Sequence, residues 1–140
     1  MAAKLTLFVV CCSAFGQMDS STLRVKYGEP IARETFQVRP NIQAVVNYGT
    51  GHQVCKIDLP PGSYVNRPNF ATKQQVDEVI DELVPPSVRG KEINQGVMSA
   101  SRIAVSLSEY ENVTISEPLD PDHPGRRTGV TITFKRSDCH

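Results

Sequence analysis

Ile42–Leu59 reads IQAVVNYGTGHQVCKIDL. Ile42, Ala44, Val46 and Tyr48 alternate with Gln43, Val45 and Asn47, the period of two that a strand shows when it buries one face. In the second arm Cys55, Ile57 and Leu59 fall on the core-facing side, and Val54, Lys56 and Asp58 on the other. Between the arms, Gly49, Thr50, Gly51 and His52 form a short connection whose glycines can take the positive φ of a closing turn. Pro60 and Pro61 end the second arm, because proline has no N–H to give to a sheet ladder. The stretch is therefore expected to be an antiparallel hairpin with a cysteine on its buried face.

Upstream, Met1–Gly16 (MAAKLTLFVVCCSAFG) holds one lysine, an apolar run from Leu5 through Cys12, and small residues near its end. That is the layout of a secretory signal peptide, too short to remain as a membrane anchor. Two other readings stay open. One is a buried N-terminal strand of a cytosolic protein; the other is a lipoprotein leader with Cys11 or Cys12 lipidated, although Val10 stands where a small residue is expected. Cleavage after Gly16 leaves residues 17–140 as one domain, periplasmic or secreted, and its cysteines are Cys55 and Cys139. A single pair in an exported chain is expected to form a disulfide. The loop it closes spans 84 residues, for which chain entropy predicts a stabilisation of roughly 4 kcal/mol. A reactive or metal-binding thiol is the alternative, against which stands the mid-strand, apolar setting of Cys55.

The 140 residues are 39% hydrophobic and 6% aromatic, with no tryptophan, so one modest and mostly aliphatic core is expected. With 15 basic and 15 acidic residues of interspersed sign, the chain has no electrostatic footprint for nucleic acid or an anionic membrane.

Outward from the hairpin, Phe36 and Val38 face inward within Glu34–Arg39, giving a preceding strand. Further upstream, Leu23, Val25 and Tyr27 alternate with Arg24 and Lys26, which predicts a short edge strand ended by Gly28-Glu29-Pro30. Downstream, Thr72 and Gln75 have capping-box spacing, and Val76, Val79, Ile80 and Leu83 recur at helical intervals. Pro85-Pro86 must stop that helix near Val84. Ser87–Ser101 shows no clean period and reads as a solvated loop or a surface for a partner. Ile103, Val105 and Leu107 share a face, Val113 and Ile115 continue the pattern, and Val130, Ile132 and Phe134 form a last strand after a Pro- and Asp-rich loop. A three-stranded meander that carries Cys139 to the end is expected.

One-faced strands with an amphipathic helix imply an α+β fold, an antiparallel sheet of about five to seven strands packed on that helix. An all-β sandwich with the helix as a crossover is the alternative.

The segments ETFQVRPNIQAVVNYG and VCKIDL, a helix ending in Val84-Pro85, then RGKEINQG and finally VTITFKRSDC, resemble a group of small uncharacterised exported bacterial proteins. The resemblance covers most of the mature chain and implies export and a single domain. It carries no activity and no catalytic residue.

Candidate sites are few. Asp120, Asp122 and His123 could hold a divalent cation, although the spacing is not that of an EF-hand and a solvated turn explains it equally. Gly90-Lys91 fails as a phosphate loop, since Pro85 and Glu92 stand where Gly and Ser or Thr are needed. Gly49-Thr50-Gly51 fails as a dinucleotide fingerprint, because Val54 replaces its third glycine. No nucleophile elbow exists, and His52, His123 and His140 fall in a turn, a loop and the last position. Asn112-Val113-Thr114 matches a glycosylation acceptor inside an expected strand.

Without a catalytic constellation, the chain reads first as a non-enzymatic interaction or ligand-binding domain without cofactor, its protein or small-molecule partner meeting Arg89, Lys91 and Glu92 or the polar turns. Two other readings stand beside it. One is a metal-binding protein or metal-assisted hydrolase using Asp120, Asp122 and His123; the other is an assembly subunit pairing through an open sheet edge such as Leu23–Tyr27.

Overall fold

A computed structural model of the chain describes residues 19–28, 34–49, 52–63, 68–100, 103–119 and 129–139. Residues 1–16, expected to be a leader, and Asp120, Asp122 and His123, expected as possible metal ligands, lie outside the described residues. In chain order the elements are α1 (Ser20–Tyr27), β1 (Thr35–Arg39), β2 (Ile42–Tyr48), β3 (Val54–Leu59), α2 (Lys73–Leu83), α3 (Pro86–Arg89), β4 (Glu92–Ala100), β5 (Ile103–Tyr110), β6 (Val113–Leu119) and β7 (Val130–Phe134), then a 3-10 turn at Ser137–Cys139.

The strands form one seven-stranded antiparallel sheet in the order β1-β2-β3-β7-β6-β5-β4. The fold is α+β, with the helices on one face of the sheet. Phe36 and Val38 of β1, Ile42, Ala44 and Val46 of β2, and Ile57 and Leu59 of β3 point to that face. Val113, Ile115, Val130, Ile132 and Phe134 continue it across β6 and β7. Against them pack Val76, Val79, Ile80 and Leu83 of α2, whose i, i+3, i+4, i+7 spacing is the stripe read from the sequence. The expected cap is also formed. Gln75 N–H donates to Thr72 Oγ1 at 3.2 Å, and Thr72 N–H donates to Gln75 Oε1 at 2.9 Å.

Three expectations need correction. Leu23–Tyr27 is helical, not an edge strand: Asp19 caps Ser20–Tyr27 by accepting from Thr22 N–H at 2.8 Å. Leu23 and Tyr27 share a face in either conformation, but only a helix leaves Val25 at 90% exposure while burying Leu23. Val54 points inward, not outward. Asn47 pairs with Lys56 and Tyr48 with Val54, so Cys55 is the extra residue of a β-bulge, and the bulge turns Val54 into the core. Glu92–Ala100, read as irregular, is the longest strand of the sheet.

Candidate functional site

The two edges of the sheet differ. β1 has five residues and a register shift between Gln37 and Arg39, and the arginine pairs with Glu82 on α2. Pro40 follows it at once. A short, bulged and charged edge of this kind resists pairing with another strand. β4 has nine residues, and every position from Glu92 to Ser99 is exposed. Ile93, Val97 and Met98 stand at 59%, 63% and 60% exposure. No charged residue and no proline lies between Ile93 and Ala100.

The register explains why. β6 pairs with β7 only over Val113–Ser116, whereas β5 pairs with β6 out to Leu119 and with β4 out to Ala100. The outer parts of β4, β5 and β6 therefore extend past β7 as a three-stranded arm, which the start of α2 touches where Lys73 lies 3.8 Å from Glu117. The cross-strand partners also set which way the arm's side chains face. Ser108 stands opposite core-facing Ile115, so Val105 and Leu107 point to the face away from α2. Their alternation is real, but it lies on the opposite face from Val113 and Ile115. Met98 and Pro118 are the direct neighbours of Val105, which gives that face an apolar strip of Met98, Val105, Pro118 and Leu107.

Just before β4, the residues expected to meet a partner divide into two kinds. Arg89 is a structural clamp: its guanidinium pairs with Asp81, donates to the Val84 carbonyl at the end of α2, and lies 5.5 Å from the Tyr110 ring centre. Its side chain is 14% exposed. Lys91 and Glu92 are exposed at the start of β4, with the Lys91 backbone N–H donating to Glu111 Oε2 at 2.8 Å. Asn112 belongs to the two-residue turn between β5 and β6 rather than to a strand, and its amide donates to the Val88 carbonyl at 3.0 Å.

Cys55 and Cys139 are joined in a disulfide with a Cα–Cα distance of 5.3 Å, so the thiols expected to meet do meet. Such a bond persists in oxidising surroundings. His52 is exposed with φ 57° in the β2–β3 turn, its N–H donating to the Gly49 carbonyl at 3.2 Å. Among the described residues no three His, Cys, Asp or Glu side chains gather as metal ligands, and Asp120, Asp122 and His123 lie outside them.

Two further features were not legible. Glu82 on α2 gathers Lys26 at 3.1 Å, Arg39, and the Tyr27 hydroxyl, which donates to it at 3.0 Å. Burial works to raise the Glu82 carboxyl, but the hydrogen bonds from Lys26, Arg39 and Tyr27 outweigh it and hold the group below the usual carboxylate range. Burial, and then donation to Glu82, push the Tyr27 hydroxyl well above its ordinary value. On the open sheet face, Gln37, Gln43, Val45 and Asp58, with Pro40, Asn41, Leu59 and Pro60, line a shallow groove of about 430 Å³. Several of its polar groups already have partners: Gln43 donates to Gln37 at 3.2 Å, and Thr131 donates to Asp58 at 2.7 Å.

No described helix is long and apolar enough to cross a membrane. No protein-family model matches the chain, and no curated protein or solved structure matches it.

Proposed function

We propose that this chain is a small exported, non-enzymatic interaction domain that binds through the open edge of β4 and the apolar strip beside it. One observation carries the reading: a nine-residue strand of a well-packed sheet buries none of its described side chains and keeps three large apolar groups in water. From Asn94 to Ala100 the edge is uncharged and its register regular, the bulge lying at its start between Glu92 and Asn94, and such an edge is a template for another strand, which would gain main-chain hydrogen bonds along it. The Cys55–Cys139 bond and the leader-like Met1–Gly16 support export to the periplasm or outside the cell.

A photo-crosslinking side chain placed at Met98, in the exported protein as its own cell makes it, tests the surface. A covalent adduct at Met98, and none from the same group at Val25, is the expected result. Equal or absent labelling at both positions removes the proposal. Export is tested by intact mass: the mature protein should begin at Gln17 and be lighter by two hydrogens than its reduced form.

A small polar ligand in the groove between Gln37 and Asp58 is the second reading, favoured by three amides and a carboxylate on the uncovered face. In that case Gln43→Ala, and no substitution in β4, would abolish binding.

A further inference from the structure

Resting on the reading of β4 as the binding edge, we infer that its partner is a second copy of this chain, paired antiparallel, β4 to β4, about a two-fold axis at Val97.

The strand is self-complementary in charge. Along the chain from Lys91 to Ala100 the charged residues, Lys91 and Glu92, sit at one end. Antiparallel pairing sends the two Glu92 carboxylates to opposite ends of the joint, roughly 30 Å apart at about 3.3 Å per residue and well beyond a screening length of about 8 Å. Parallel pairing would stack them. The opposite edge offers no such match, since β1 is short, bulged and carries Arg39.

Geometry then restricts the register. A two-fold axis normal to the sheet preserves its faces, and facing residues of an antiparallel pair point to the same side. Residue numbers of facing positions must therefore have the same parity. Centring the axis on Val97 sets Val97 opposite the partner's Val97, Gln95 opposite the partner's Ser99, and Gly96 opposite the partner's Met98. Gly96 is the telling position. A Cβ built there would meet nothing within 4 Å, and its φ is not in the left-handed region, so neither backbone nor neighbours call for a glycine. In the pair, the missing side chain is the slot that accepts the Met98 thioether from across the seam. The apolar strips of Met98, Val105, Pro118 and Leu107 then meet on one face of a sheet continuous through both copies.

The test is the solution mass of the disulfide-bonded mature protein, by sedimentation or light scattering, at up to roughly 0.5 mM, where even a Kd in the upper micromolar range gives substantial dimer. The wild type is expected to reach twice the mass of one chain. V97K and V97E should each weaken association at least about tenfold, because like charges then face each other directly at the axis, and a 1:1 mixture of the two should restore it. Val97 is 63% exposed, so at dilutions where every chain is a monomer both variants keep the wild-type melting temperature, and Val25→Lys, at a 90% exposed position, leaves the mass unchanged. A wild type that stays at one chain's mass overturns the inference, as does a dimer indifferent to V97K and V97E, or a mixture that remains monomeric. If the wild type is monomeric but the Met98 crosslinker captures a different protein, self-pairing falls and the interaction reading stands. If Met98 captures nothing, both fall.

Discussion

Arg89 has a task that its sequence neighbours do not suggest. In the run Arg89-Gly90-Lys91-Glu92 it has the look of a solvated charge, yet it holds the carboxyl end of α2 through the Val84 carbonyl and Asp81. Arg89→Ala should cost about 1–2 kcal/mol in urea unfolding, a charged hydrogen bond to a helix C-terminus being the main loss, and should leave β4 pairing intact. Gly62 makes the opposite case, since its role is the absence of an atom. A Cβ there would lie 2.6 Å from the Lys73 Cα, where Ser63 donates to the Ala71 carbonyl and accepts from Lys73 N–H. Gly62→Ala should therefore destabilise by about 1–3 kcal/mol, the cost of overpacking against backbone. Neither role could be read from sequence, because both depend on contacts made across the Pro85-Pro86 break or the Pro60–Ala71 loop.

Among the elements, legibility followed the strength of the local signal. α2 announced itself twice, by its Thr72–Gln75 cap and by its apolar stripe, and both are present. The β2–β3 hairpin was legible as a pair, but its bulge at Cys55 was not, since a bulge shifts register without changing composition. α1 reads as a strand by its apolar spacing because Leu23 and Tyr27, four apart, suit either period, and the sign of a helix lies in Asp19 as its cap. β4 left no periodic trace because a strand exposed on both faces has no side to distinguish. The α1–α2 contact also carries a pH signature. The Glu82 carboxyl is depressed when folded, so its contribution is complete above the unfolded value of about 4.3 and is lost as pH falls through the lower folded value. Glu82→Gln should lower the melting temperature at neutral pH, and the gap from wild type should close as the solution is acidified below about pH 4.

For the whole molecule, the disulfide and the α+β class were legible, while the order of the strands was not, because the last strand enters the sheet at its centre. The bond ties the β3 bulge to the turn just after β7, the strand beside it. Replacing Cys55 and Cys139 together by serine should cost about 2–5 kcal/mol, measured by denaturant unfolding of the oxidised protein against the variant. Reducing the wild type should reproduce the loss.

β7 has a temporal meaning as well. Until Val130–Phe134 has been synthesised, β1-β2-β3 and β4-β5-β6 are two separate meanders, each with a bare inner border where β3 and β6 await a shared neighbour. The keystone is thus the last of the seven described strands to emerge. The sheet can close only once β7 has been made, after the six other described strands, which postpones folding until the two meanders gain their common neighbour.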